Sequence, residues 1–99
     1  MTTGGPTIER NDEDERFELW IADELAELDF HLAGKRLSLI HTEVPESMEG
    51  QGIGGRLVQA ALDYAAAEGL TVIPYCPFAR EWLERHPDVA AQYAIEAPG

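Results

Sequence analysis

The chain has 99 residues, a formal net charge of −12 at pH 7 from 7 Lys+Arg against 19 Asp+Glu, and 44% hydrophobic residues. A chain of this length folds as one domain with enough apolar content for a core, and so much negative charge excludes DNA, RNA and anionic membrane surfaces as main partners, because affinity for phosphates comes mostly from Lys and Arg. The overall field favours a cationic partner such as an amine instead.

The single cysteine, Cys76, cannot form an internal disulfide, and Met1 to Pro6 lack the basic patch and apolar run of a signal peptide, so the chain is expected in the cytoplasm. Its longest uncharged stretch, Gly69 to Ala79, carries two prolines and is far too short for a membrane span. His31, His41 and His86 match no ligand spacing, so no metal is expected.

In chain order, residues 1 to 15 read as a flexible acidic tail or at most an edge, ending in Asp12-Glu13-Asp14-Glu15, and residues 16 to 95 read as the single domain. Phe17 to Ile21 form a first apolar segment. Ala26, Leu28, Phe30 and Leu32 then alternate with Glu27, Asp29 and His31, the period-two pattern of a half-buried strand. A turn at Ala33-Gly34-Lys35-Arg36 leads to a more apolar strand, Leu37 to Val44, and the three segments predict an antiparallel meander. After Pro45 and a glycine cluster, Ile53, Leu57, Val58, Ala61, Leu62 and Ala65 share the face of an amphipathic helix that ends near Gly69. The run Leu70 to Cys76 predicts a buried strand returning beside its predecessor through a right-handed crossover. Pro77 suits the first position of a second helix, with Phe78, Trp82 and Leu83 inward, interrupted at His86-Pro87. Val89 to Ile95 add one more helical turn or a tail. The fold class is therefore α/β (α+β): a meander, a strand-helix-strand crossover and one or two short C-terminal helices.

Gly50-Gln51-Gly52-Ile53-Gly54-Gly55 matches G-x-G-x-x-G. A dinucleotide fingerprint needs its first glycine at the strand end and an acidic residue after the next strand, whereas here Pro45 to Glu49 intervene and Tyr75-Cys76-Pro77 stands where the carboxylate belongs. A P-loop fails because Arg56 follows Gly55. Glycines at a helix start still let backbone N–H groups and the positive end of the dipole approach a phosphate, and that is the expected role of the cluster.

His41-Thr42-Glu43-Val44-Pro45, Gly50-Gln51-Gly52-Ile53-Gly54, Pro74-Tyr75-Cys76-Pro77-Phe78 and Arg85-His86-Pro87, in that order and spacing, resemble the small YjdJ-type N-acetyltransferases of the GNAT superfamily over about residues 16 to 93. The resemblance implies a minimal GNAT-like fold with acetyl-coenzyme A as cofactor, its diphosphate on the amides around Gln51, Gly52, Ile53, Gly54 and Gly55, next to Arg56. It also implies that the strand at Thr42, Glu43 and Val44 pairs with the pantetheine arm. Glu49 departs from the Gln/Arg that opens the superfamily's loop, and as a carboxylate it opposes a diphosphate. Pro74 fits the implied splay between strands independently, because it cannot donate to a ladder.

Three residues are candidates for catalysis. Cys76 falls at the N-cap of the second helix, where the dipole favours thiolate, and is read either as proton donor or transient nucleophile, or as a small apolar core residue. His41 and Glu43, two apart on one strand face, are candidate bases for the amine proton; the alternative for His41 is a structural tie to a loop. His86 ends a helix. Trp20, Trp82, Phe78 and Tyr93 are core or adenine-side packing. The functional expectation is acetyl transfer from acetyl-coenzyme A to an amine, by direct attack or through Cys76. A non-catalytic acyl-coenzyme A-binding module and an acidic protein-interaction domain are the alternatives.

Overall fold

The period-two segments of the sequence become neighbouring strands of one sheet. In the computed structural model, which describes residues 7–98, the elements are β1 (Ile8–Asn11), β2 (Arg16–Ile21), β3 (Glu24–Ala33), β4 (Arg36–Glu43), a 3₁₀ turn (Glu46–Met48), α1 (Ile53–Glu68), β5 (Thr71–Pro74), α2 (Pro77–Arg85) and α3 (Pro87–Ala90). The five strands follow the order β1-β2-β3-β4-β5. The first four pair antiparallel, and β5 returns parallel to β4 after α1. The α/β architecture is the expected one. Of the tail or edge expected over residues 1 to 15, the described part contains the edge: Ile8–Asn11 is an edge strand paired with β2, with Ile8 packed against the core. Residues 1–6 lie outside the described residues. A strand this short and polar is visible only through its partner.

One face of the sheet builds the core. Phe17 and Leu19 of β2, Ala26, Leu28 and Phe30 of β3 and Leu37 and Leu39 of β4 are buried against Leu57, Val58, Ala61, Leu62 and Ala65 of α1. Leu57, Val58 and Leu62 are fully buried, each contributing roughly 1.5–3 kcal/mol. Together they outweigh the ~1 kcal/mol that each of Gly54 and Gly55 costs in the first turn. Gly69 closes α1 in the left-handed region with φ 67°, its N–H reaching Ala65 O and Ala66 O.

Two irregularities position the site. The β3–β4 ladder shifts register: Phe30 faces Leu39, but Asp29 faces His41, leaving Ile40 as an extra residue in β4. Thr42 is thereby opposite the core residue Leu28 and on the helix side, while His41 and Glu43, opposite Asp29 and Glu27, turn to the other face. The β4–β5 ladder stops at Leu39–Pro74, where proline has no N–H to extend it. Cys76 N–H makes the last bond, to Leu39 O at 2.9 Å. β4 therefore outlasts β5, and its end borders a gap.

The second helix starts at Pro77 with Cys76 as N-cap, as expected. Its buried residues are Ala79 and Leu83; Phe78 is 40% exposed, not inward. The C-terminal segment forms α3 and then a bridge from Ile95 to Val72 on the outer side of β5. No helix among the described residues is long and apolar enough to cross a membrane.

Candidate functional site

The gap left by β5 opens into a cavity of about 520 Å³. Its walls are the end of β4 (Thr42, Glu43, Val44), the link carrying Met48, Glu49 and Gly50, the first turn of α1 with Gly52, Ile53, Gly54 and Gly55, and Phe78 and Trp82 of α2. The first N–H groups of a helix have no acceptor within it, and the sixteen-residue α1 aims that end and its dipole at the cavity. The first intrahelical bond here is Arg56 N–H to Gly52 O, 3.1 Å.

The glycines serve two different purposes. Gly50 and Gly52 have φ of 84° and 72°, and a β-carbon on either would meet nothing within 4 Å. They turn the chain into α1 where a side chain would strain the backbone. Gly54 and Gly55 are required by α2: a β-carbon on Gly54 would lie 2.6 Å from Phe78 Cζ, and one on Gly55 2.5 Å from Trp82 Nε1. Trp82 is held in that position by His86, whose ring stacks on it at 4.1 Å and whose Nδ1 lies 2.7 Å from Trp82 O. Gly54 and Gly55, expected as part of a phosphate cradle, thus also have a packing role: their missing side chains make room for aromatic rings.

Cys76 lies just behind the wall. It is 2% exposed, and its Sγ is 3.1 Å from Thr42 Oγ1, either atom being able to donate. The thiol does not cap α2, which has no side-chain cap. Of this pair, Thr42 lines the cavity and Cys76 does not.

His41 and Glu43 do form a pair, with Nε2 to Oε1 at 2.9 Å, and both are exposed. That hydrogen bond, opposed by slight desolvation and aided by the negative charges of Glu43, Asp29 and Glu27, raises the imidazole above its ordinary value of 6.5. Glu43 lines the cavity and His41 stands behind it, on the open face of the sheet.

Of the residues expected at the site, Thr42, Glu43, Val44, Gly52, Ile53, Gly54 and Gly55 come together around the cavity. Gln51 and Arg56 do not line it; the Gln51 amide turns back to Ser47 O at 3.4 Å. Phe78 and Trp82, expected as core or adenine-side packing, are wall residues, brought there by the side-by-side packing of α1 and α2, and Met48 joins the wall with no signal in the sequence that marks it. Trp20 is 48% exposed on the open face, and the Tyr93 hydroxyl donates to Asp63 Oδ1 at 2.7 Å, tying the C-terminal segment to α1.

The fit to a coenzyme A diphosphate rests on backbone donors. Among the described residues the lining contains no Lys or Arg and two carboxylates, Glu43 and Glu49. The space beside Gly50 and Gly52 is open, and a β-carbon would intrude on it. Such a cradle can take a phosphate through N–H groups and the helix dipole, with Glu49 working against it.

Known proteins resemble this chain in fold and in sequence. The solution structure of a GCN5-like protein from Staphylococcus aureus superimposes with a TM-score of 0.71 at 24% identity, covering 94% of this chain and 90% of that one. Protein NATD1 of Mus musculus is 32% identical over 91 residues, 88% of this chain and 83% of that protein. Protein NATD1 of Homo sapiens is 36% identical over 59 residues, 52% of its own length. The sequence profile described as GCN5-related N-acetyl-transferase matches residues 16–93, which span β2 to α3, including every wall of the cavity. This chain belongs to the GCN5-related N-acetyltransferase family.

Proposed function

We propose that this protein, within the small YjdJ-type group of its family, is a cytoplasmic N-acyltransferase that moves an acetyl group from acetyl-coenzyme A to an amine by direct attack. The observation that carries the reading is the cavity between the free end of β4 and the glycine-rich start of α1. In it a strand edge for a pantetheine arm and a row of helix N–H groups for a diphosphate lie side by side. When bound, acetyl-coenzyme A supplies a thioester, whose carbonyl carbon bonds to the amine nitrogen as the carbon–sulfur bond breaks and the thiolate leaves.

The chain's own residues move the protons. Glu43, whose strand end lines the cavity while its side chain turns to the open face beside His41, accepts through a bridging water the proton that the amine must lose, and His41 orients that carboxylate through the 2.9 Å hydrogen bond. Thr42 Oγ1, on the same wall and paired with Cys76 Sγ, is the group placed to give the departing sulfur its proton, which solvent then restores. Cys76 supports Thr42 and forms no acyl intermediate, because its sulfur is buried.

Calorimetric titration with coenzyme A, followed by thiol release from acetyl-coenzyme A in the presence of amines, tests the reading. Binding with turnover supports it. Binding without turnover for any amine would make the protein an acyl-coenzyme A-binding module, the reading that the two cavity carboxylates favour. Absence of binding would leave an acidic interaction domain.

A further inference from the structure

The two tryptophans treat their indole nitrogens differently. Trp20, on the open face of the sheet, donates from Nε1 to Glu18 Oε1 at 3.3 Å. Trp82 of α2 is half-buried in the cavity wall, and its Nε1 has no acceptor among the described residues. No buried side-chain nitrogen or oxygen among these residues lacks a partner, so Trp82 Nε1 is open to the cavity that the ring lines. Apart from two carboxylates, the wall has only two polar side chains, Thr42 and Trp82, and Thr42 Oγ1 is engaged with Cys76 Sγ.

Gly55 and His86 aim this donor. Of the ring atoms, Nε1 comes nearest to the place of a Gly55 β-carbon, at 2.5 Å, with Cδ1 at 3.3 Å and Cε2 at 3.4 Å. The N–H bond bisects those two carbons, so the N–H edge of the indole, and not its face, is turned to the first turn of α1. A side chain at position 55 would push the nitrogen away. On the other side His86 stacks on the ring at 4.1 Å and 21°, and its Nδ1–H donates to Trp82 O at 2.7 Å, which holds the ring to one orientation. The intrahelical bonds of α1 begin with Arg56 N–H to Gly52 O, so the N–H groups of Ile53, Gly54 and Gly55 have no acceptor within the helix. The indole N–H joins that unpaired set from a different helix.

Resting on the acyltransfer reading above, we infer that Trp82 Nε1–H is a side-chain donor to the coenzyme A diphosphate, reaching it from α2 and adding to the backbone cradle at the start of α1. An indole nitrogen donates and cannot accept, so its partner is an acceptor group of the ligand. Beside the positive end of the α1 dipole the favoured acceptor is the anionic one, and a hydrogen bond to a charged oxygen is the stronger kind. Among the described residues the wall offers no Lys or Arg and sets Glu49 against an anion. A neutral donor fixed in place by Gly55 and His86 therefore supplies part of what a cation would supply, and it makes the site select thioesters that carry the diphosphate over those that lack it.

The test follows the two indole N–H signals of the full chain by nuclear magnetic resonance during titration with coenzyme A, inorganic pyrophosphate and pantetheine. Coenzyme A and pyrophosphate should move the Trp82 signal downfield, as a proton entering a hydrogen bond moves, while pantetheine leaves it in place and the Trp20 signal stays fixed throughout. In calorimetry, Trp82→Phe, which keeps a ring between Gly55 and His86, should weaken coenzyme A about tenfold, the worth of one hydrogen bond to a charged group, and leave pantetheine unchanged. Trp20→Phe should alter neither. If coenzyme A binds while the Trp82 signal stays still or moves equally with pantetheine, or if Trp82→Phe binds coenzyme A as tightly as the parent, the donor role is overturned and the acyltransfer reading stands. Should Trp82→Phe fail to fold, the titration of the parent chain decides by itself. Pyrophosphate at Trp82 without coenzyme A binding supports the anion donor and overturns the acyltransfer reading, and a Trp82 signal that neither ligand moves, with no coenzyme A binding, overturns both.

Discussion

Phe78 occupies the space where Gly54 would carry a side chain: a β-carbon there would lie 2.6 Å from Cζ and 2.9 Å from Cε2 of the ring. The start of α1 and the start of α2 are fitted to each other through this contact and its neighbour, Gly55 against Trp82. The cavity wall is thus set by α2 as much as by the glycine loop.

Gly54→Ala should cost about 1–3 kcal/mol in urea unfolding, because the ring must move and overpacking exceeds the ~1 kcal/mol that alanine gains in a helix. The double variant Gly54→Ala, Phe78→Ala should recover part of that loss. If Gly54→Ala is neutral or stabilising, the contact does not constrain the helix start. Gly52→Ala differs in cause: with φ 72° and nothing nearby, it strains the backbone by about 1–2 kcal/mol without a clash.

Glu49 lines the cavity and is exposed. Glu49→Gln removes a carboxylate next to the site proposed for a diphosphate, so coenzyme A should bind about two- to fivefold tighter, with the gain shrinking as salt is added. Weaker binding in Glu49→Gln, measured by calorimetry, would mean that the carboxylate supports the loop.

Cys76 is 2% exposed and bonded to Thr42. Alkylation by iodoacetamide should therefore be slow and limited by local opening of the chain. Cys76→Ser keeps a partner for Thr42 and should retain most turnover, whereas Cys76→Ala leaves the hydroxyl unpaired at a cost of about 1–3 kcal/mol. An acetylated Cys76 detected by mass spectrometry, turning over on addition of amine, would replace direct attack with a two-step route.

Stability should be highest on the acid side of neutrality. The Glu27 carboxyl, hydrogen-bonded to Asp29 and partly desolvated, is raised to about 7 against 4.5 when unfolded. The folded chain holds this proton more tightly, so its stabilisation is lost as pH rises from about 4.5 through 7. His41, also raised, contributes stability that is full below 6.5 and lost as pH climbs through its folded value. Asp12, Glu18 and Glu96 are lowered by Arg10, Arg16 and Arg36, and their contribution is lost as pH falls through their folded values. The melting temperature should therefore peak at about pH 4.5–5, and Glu27→Gln should flatten the decline above it. An unchanged slope in Glu27→Gln would show that the Glu27–Asp29 pair does not share a proton.

The sequence by itself determined the elements whose signals are local. Alternation along Ala26 to Leu32, the helical spacing from Ile53 to Ala65, the Gly69 cap, Pro77 at the first position of a helix and Pro74 at the end of a strand each express a rule acting within a few residues. The meander, the crossover and the approach of the glycine cluster to Thr42, Glu43 and Val44 follow from them. What only the tertiary structure decided depends on register and on contacts between distant segments. The extra residue at Ile40 reverses which of Thr42 and Glu43 faces the helices, because strand side chains alternate strictly and one inserted residue exchanges the faces. The edge strand Ile8–Asn11 exists only through β2. The reason for Gly54 and Gly55 lies more than twenty residues away, in Phe78 and Trp82. The facing of Glu9 with Glu18, Glu18 with Glu27 and Glu27 with Glu43 is invisible in the linear chain and emerges only when four strands align them, since interaction between charged side chains is set by distance in space and not by separation along the chain.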